Sequence, residues 1–347
     1  MKTLSIALVL LTGLINNLSA DTKKVLFLGN SYTYVNDLPG MLTSCANSVG
    51  DVLTYDANTP GGVSVGNHLY SAVSIGKIMT GGWDVVILQG QSLEFIGSNH
   101  YLPGYADSLD GIIKQYNPCG VTMFYMTWGY KNGDPPSCPG SHVFCNYETM
   151  DSAIRTTYMG IADTNKALIS PVGAVRHYIR HNYPTIDLYQ SDEQHPSVAG
   201  TYAAACCFYA ALYHKDPDLI TFNPGLSATD AANIRNAARI VAFDSLYYWN
   251  IGKYDTITNP GCSTTNINGQ PPTAIWDIYP NPAEASLTIS TKDKRTYAVM
   301  LYNFLGQLYY TGEVSGKATI DISNLPQGVY LLRANGNNQQ TYKFTKR

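Results

Sequence analysis

The sequence predicts an α/β fold, a parallel sheet with helices on both faces, followed by a small antiparallel β-sandwich at the C-terminus. Three observations predict it. Short continuous apolar runs alternate with helical stretches through residues 25–254, the pattern of strands buried on both faces. A polar tract interrupts that alternation at residues 256–273. Beyond it come short alternating strands separated by turn residues, the pattern of a small sandwich.

The elements follow in order. Met1-Lys2-Thr3 is a short positive start, residues 4–15 are almost entirely apolar, and Leu18-Ser19-Ala20 ends the segment in small residues. That is the layout of a secretory signal, with cleavage expected after Ala20. Its apolar core is shorter than the roughly 20 residues of a membrane span, so the mature chain is expected to have no transmembrane segment. Four strands are expected at Val25-Leu26-Phe27-Leu28, Asp84-Val85-Val86-Ile87-Leu88, residues 121–126 and residues 167–172. Residues 197–213, rich in Ala and aromatics after Pro196, predict a buried helix, and residues 230–249 an amphipathic one. Residues 256–274 are the linker. Strands are then expected at 287–290, 297–302, 307–310, 318–322 and 329–333. The expected division is therefore a signal peptide at 1–20, an α/β module at 21–255, a linker at 256–274 and a sandwich at 275–347.

Charge narrows the function. The 347 residues carry 22 Lys+Arg and 25 Asp+Glu, a formal net charge of -3, and only 14% are charged. The average conceals a net -7 over residues 21–274 and +3 over 275–347. With no basic footprint, a nucleic-acid partner is not expected. The 27 tyrosines and sparse charge suit a neutral ligand such as a sugar. An exported chain can carry disulfides. Of seven cysteines, Cys138 and Cys145 bracket a Pro/Gly/Ser loop and are the expected bridge. His142 in that loop has no second ligand cluster at zinc spacing, so a loop staple is expected and no metal. The odd count is expected to leave one thiol unpaired.

Three motifs carry chemistry. Phe27-Leu28-Gly29-Asn30-Ser31-Tyr32-Thr33 follows the first strand, and ligands in open parallel sheets bind at the carboxyl ends of strands. Ser31 could be a nucleophile there, or simply a helix cap. In Ser191-Asp192-Glu193-Gln194-His195-Pro196, Asp192 and His195 sit three apart in a turn. The Asp can orient the imidazole and the His can take a serine proton; a capping Asp in a solvated loop is the other reading. Leu88-Gln89-Gly90-Gln91-Ser92 offers side-chain amides, and Gly61-Gly62 an unobstructed N–H, for an oxyanion.

In this order, Ser, then Gly, then an amide, then Asp-x-x-His-Pro, residues 25–215 resemble the SGNH (GDSL-like) hydrolases. The resemblance implies a flavodoxin-like parallel sheet. It makes Ser31 nucleophile and oxyanion donor, Gly62 a second donor, His195 the base and Asp192 its orienter. Two departures stand out. The family's Gly-Asp-Ser-Leu is Gly29-Asn30-Ser31-Tyr32 here, and its Gly-x-Asn becomes Gln89-Gly90-Gln91. Gln91 takes the Asn position, with Gln89 the other amide that can face inward. Gln89-Gly90-Gln91-Ser92 is similar to the Gln-Gly-Glu-Ser of sialate and xylan acetylesterases in this clan. The implied function is a secreted serine esterase without cofactor or metal, acting on carboxylic esters, O-acetyl groups on glycans first among them. The alternatives are a glycan-binding or adhesive protein that kept the fold, for which Trp128-Gly129-Tyr130 and Asn99-His100-Tyr101 would serve equally, and a lipase or thioesterase. Ile278-Tyr279-Pro280-Asn281-Pro282, Asn303-Phe304-Leu305-Gly306-Gln307, residues 325–333 and the basic end Lys343-Phe344-Thr345-Lys346-Arg347 resemble the type IX secretion sorting domain of Bacteroidetes. That implies passage through the periplasm to the cell surface or medium, with the type IX secretion machinery as partner.

Overall fold

The structure, a computed structural model, describes residues 20–96, 102–254, 276–291, 295–303, 308–335 and 340–347. The signal segment before Ala20, the linker at 256–274, Cys262 and Asn99-His100-Tyr101 lie outside the described residues.

The first module runs β1 (Thr22–Leu28), α1 (Ser31–Tyr34), α2 (Leu38–Asn47), β2 (Val52–Asn58), α3 (Val65–Leu69), α4 (Ala72–Met79), β3 (Val85–Leu88), α5 (Leu102–Tyr116), β4 (Val121–Tyr125), α6 (Tyr147–Asn165), β5 (Leu168–Ser170), α7 (Val172–Asn182), α8 (Val198–Tyr213) and α9 (Ala228–Val241). The five strands are all parallel in the order β2-β1-β3-β4-β5, the doubly wound order whose connections reverse direction between β1 and β3. Val25, Leu26, Phe27 and Leu28 are fully buried, as are the side chains of β3. Each such side chain contributes about 1.5–3 kcal/mol of transfer free energy, which is why the central strands read as unbroken apolar runs.

β2 escaped the sequence reading for the opposite reason. It is an edge strand left partly open to solvent, with Val52 and Tyr55 exposed and Asp56 half-buried, so its residues show no continuous apolar run. α8 is buried along almost its whole length and packs against α2, α7 and α9; its alanines permit close approach. The helix expected over 230–249 is two pieces. α9 ends at Val241, and a 3-10 segment over Phe243–Trp249 follows, kinked at Ser245.

The second module holds β6 (Trp276–Tyr279), β7 (Ser286–Thr291), β8 (Thr296–Asn303), β9 (Leu308–Ser315), β10 (Lys317–Asp321), β11 (Gly328–Asn335) and β12 (Gln340–Lys346). They form two antiparallel sheets, β10-β7-β6 and β12-β11-β8-β9. Trp276, Leu287, Ile289, Val299, Leu301, Leu332 and Phe344 make its core. Arg333 reaches Asp244 of the first module at 2.7 Å.

Cys138 and Cys145 are bridged, and Cys119 is disulfide-bonded as well. Among the described residues three thiols, not one, are free: Cys45, Cys206 and Cys207. All three are buried in the α2–α8 layer of the core, where they act as small apolar side chains. Among the described residues no helix is long and apolar enough to cross a membrane.

Candidate active site

β1 and β3 deliver their C-terminal loops to the point where the strand order reverses, the place where open α/β sheets bind ligands. Ser31 is the first residue of α1, directly after the β1 loop. Asn30 caps that helix, its Oδ1 accepting the Tyr32 N–H at 3.1 Å. The cap lifts Ser31 above the sheet edge while Tyr32 and Thr33 stay buried below.

Ser31, His195 and Asp192 come together although 160 residues separate the first from the others. His195 Nε2 lies 2.8 Å from Ser31 Oγ, and His195 Nδ1 lies 2.5 Å from Asp192 Oδ2. A carboxylate can only accept, so Nδ1 carries the proton and Nε2 offers its lone pair to the serine hydroxyl. The other carboxylate oxygen, Oδ1, accepts the backbone N–H groups of Gln194 and His195, both at 3.0 Å. Partial desolvation pushes the Asp192 carboxyl up, but those N–H groups and the imidazole outweigh it and hold the carboxyl below its ordinary value.

The loop that carries Asp192 and His195 is pinned at several points. Trp128 Nε1 donates to Gln194 O at 3.1 Å, Lys131 N to Glu193 O at 2.9 Å, and Asn36 Nδ2 to Pro196 O at 2.9 Å. Glu193 sits at φ 63, a left-handed conformation that a non-glycine residue adopts at a cost of order 1–3 kcal/mol. Tyr32 stacks on Trp128 with centroids 4.6 Å apart and meets the His195 ring edge-on at 5.5 Å. The Arg176 guanidinium covers the opposite region, 3.9 Å from the Trp128 centroid. The Tyr32 ring thus bounds the imidazole on one side.

The two glutamines have different places. Gln89 is fully buried; its Oε1 accepts from Asn30 N at 2.8 Å and Thr33 Oγ1 at 2.9 Å, and its Nε2 donates to Asn30 Oδ1 at 2.8 Å and to Gly90 O at 2.5 Å. Both amide ends are thus engaged beneath the serine turn, leaving no donor for an oxyanion. Gln91 is half-buried above, and its Nε2 donates to Gly62 O. Gly62 holds φ 72 with open space where a Cβ would stand, so the backbone angle and not crowding favours glycine there. Asn30 Nδ2 donates to Val63 O at 2.9 Å, joining the serine turn to the Gly62 loop. Neither the Ser31 nor the Gly62 N–H is taken by a protein acceptor among the described residues.

Sequence reasoning missed three supports. His68 is buried, its Nε2 3.0 Å from Gly29 O and its Nδ1 2.8 Å from Ser74 Oγ; desolvation lowers its pKa, partly opposed by the Gly29 carbonyl. Glu94 accepts the Val65 N–H with both oxygens, and burial raises its pKa against those donors. Arg176 bonds Leu188 O at 2.9 Å. None sits in a local motif, because each acts across the fold on a backbone group.

Residues 277–346 match the family described as the secretion system C-terminal sorting domain, so the chain carries an export address. Among curated proteins none matches this chain. A DUF4886 family protein from Bacteroides uniformis is 19% identical, covers 66% of this chain and 96% of its own, and superposes with a TM-score of 0.53; the two share a fold. A candidate SGNH hydrolase from Slackia heliotrinireducens is 23% identical over 55% of this chain and all of its own, TM-score 0.46. The esterase EstA from a Pseudoalteromonas species is 10% identical over 55% of this chain and 97% of its own, TM-score 0.41.

Proposed function

We propose that this chain, an SGNH-like α/β module joined to a secretion sorting domain, is an exported serine esterase. The observation that carries the reading is the 2.8 Å and 2.5 Å relay from Ser31 through His195 to Asp192 at the sheet's switch point. A serine hydroxyl is a weak nucleophile without such a base.

Ser31 Oγ attacks the ester carbonyl as His195 Nε2 takes its proton. Asp192 steadies the resulting imidazolium. The Ser31 and Gly62 N–H groups, with the second hydrogen of the Gln91 amide, stabilise the oxyanion. Donors of this kind are worth about 3–4 kcal/mol each when removed. His195 returns the proton to the departing alcohol, leaving an acyl-Ser31 ester. Water, activated by the same imidazole, then releases the acid and restores Ser31.

The reading extends to O-acetyl esters of carbohydrate. Tyr34, half exposed beside Gly61, offers a ring on which a neutral sugar can lie. The buried Tyr32–Trp128 stack fills the space below Ser31, which suits a short acyl group. The type IX secretion machinery is the partner of residues 275–347. The division of the chain at 21–255, 256–274 and 275–347 belongs to the same proposal.

The test is hydrolysis of p-nitrophenyl acetate and release of acetate from acetylated glycan by the full chain. Activity is expected and Ser31→Ala is expected to abolish it. A wild type inert on all short-chain esters and acetylated glycans, or a Ser31→Ala variant at full rate, would sink the proposal.

A further inference from the structure

Away from the serine, α6 and α7 bring together two histidines and a carboxylate that no step of the ester chemistry uses. His177 and His181 are one helical turn apart on α7, and Glu148 lies in the first turn of α6. One ligand atom from each lies within 4.8 Å of the others.

The protonation pattern is what makes the cluster more than a coincidence of polar groups. His181 Nδ1 lies 2.8 Å from the carbonyl of His177. A carbonyl accepts only, so Nδ1 bears the hydrogen, and in the neutral ring Nε2 carries a lone pair. That lone pair faces Glu148 Oε1 at 3.3 Å. Two acceptors at that separation repel unless a proton or a metal cation sits between them. A backbone carbonyl holding one ring nitrogen while the other points at a carboxylate is the arrangement that orients a metal-binding histidine.

His177 supplies the independent sign. Its side chain is only 8% exposed, yet its Nδ1 has no hydrogen-bond partner. Buried ring nitrogens are ordinarily satisfied. This one is aimed at carboxylates, 3.4 Å from Asp151 Oδ2 and 3.8 Å from Glu148 Oε2. Asp151 is itself held by the Gly129 N–H at 3.2 Å and lies 3.7 Å from the Arg155 guanidinium, so Glu148 is the carboxylate left for the histidines. The His177 and His181 rings lie 4.3 Å apart, and Tyr147 stacks on His177 from the other side at 5.8 Å.

We propose that Glu148, His177 and His181 form a binding site for one zinc ion that ties α6 to α7. Two imidazole nitrogens and a carboxylate oxygen are the donor set zinc takes with a tetrahedral shell, the fourth position being left to water. Soft-metal selection is excluded by the lack of thiolate, and calcium or magnesium by the two imidazoles. The ligand atoms need to close by about an ångström to reach the usual zinc–nitrogen and zinc–oxygen lengths of about 2.0–2.2 Å, a shift within reach of the two exposed side chains, Glu148 and His181. The neighbouring Arg176 and Arg180 on α7 bond Leu188 O and Lys131 O. The site is separate from the ester chemistry in its residues.

The experiment is calorimetric titration of zinc chloride into tag-free full chain stripped with a chelator, read beside thermal melting. One equivalent of zinc is expected to bind and to raise the melting temperature. His181→Ala and Glu148→Gln alter exposed side chains and are expected to fold and hydrolyse esters as the wild type does. Each is expected to weaken zinc at least about tenfold. Ser31→Ala should bind zinc like the wild type, which keeps this outcome distinct from the fate of the esterase reading. Wild type that takes up no zinc, or variants that bind it as tightly as wild type, would overturn the site and leave the cluster an ordinary histidine–carboxylate ion pair.

Discussion

Replacing Asp192 by Asn tests the relay's hydrogen-bond chemistry, because the side chain keeps its shape but exchanges an acceptor for a donor. In the native loop Oδ1 faces two backbone donors, the N–H groups of Gln194 and His195, each at 3.0 Å. The single carbonyl oxygen of an Asn must take that position to satisfy them. Its NH2 group is then turned toward His195 Nδ1, where Oδ2 stood at 2.5 Å. A donor at that point forces Nδ1 to be the acceptor and moves the ring hydrogen to Nε2, facing Ser31 Oγ. The base then has no lone pair for the serine proton. A triad histidine held in the wrong tautomer costs about 10⁴-fold in kcat, or about 5.5 kcal/mol of barrier. Asp192→Ala removes the orienter too but opens Nδ1 to water and leaves both tautomers accessible, so it should lose no more than the Asn variant. The assay is steady-state hydrolysis of p-nitrophenyl acetate by both variants, with KM expected to stay near the wild-type value. An Asn variant within about tenfold of wild type, or one clearly more active than Ala, would refute the tautomer argument.

The two glutamines should separate cleanly. Gln89→Ala strands Asn30 N–H and Thr33 Oγ1 in the buried floor of the serine turn and is expected to cost about 2–4 kcal/mol of stability, read as a lower midpoint in denaturant. Gln91→Ala should leave stability unchanged and lower kcat by about 10²-fold; the reverse pattern would reassign the amides. Burial raises the Asp244 carboxyl to about 6 from 3.8, despite Arg333 and Arg239 beside it. A carboxyl raised by folding favours the folded state when protonated. Its contribution is full below about pH 4 and is lost as pH rises through 6. Melting of wild type and Asp244→Asn from pH 4 to 7 should show that component in the wild type only, and parallel curves would contradict it.

How much of this was legible depended on where the information lies along the chain. β1, β3, β4 and β5 were readable because burial on both faces forces an unbroken apolar run. β2 was not, since Val52, Thr54 and Tyr55 are exposed, whereas the other edge strand, β5, is largely covered. The break between α9 and the Phe243–Trp249 segment was invisible as well, because no Gly or Pro between residues 228 and 249 marks it. The ordered Ser, Gly, amide and Asp-x-x-His motifs marked the candidate triad, and Asp192 and His195 are close in sequence. Gln89 and Gln91 could not be told apart from sequence. One residue lies between them, so adjacent loop backbone decides that one amide packs under Asn30 and the other turns toward Gly62.

The sequence by itself determined the parallel α/β module and the trailing antiparallel sandwich with its sorting motifs, and it picked out the candidate serine, histidine and aspartate. Those are local properties: buried faces and strand ends set residue type over short windows. Only the tertiary structure decided that Ser31 stands 2.8 Å from a histidine 164 residues away, that His68 and Glu94 brace the loops beneath it, and that Glu148 faces His177 and His181 across two helices. Each of these is a contact between distant segments, and hydrogen-bond and ligand geometry exist only once packing has fixed where those segments lie.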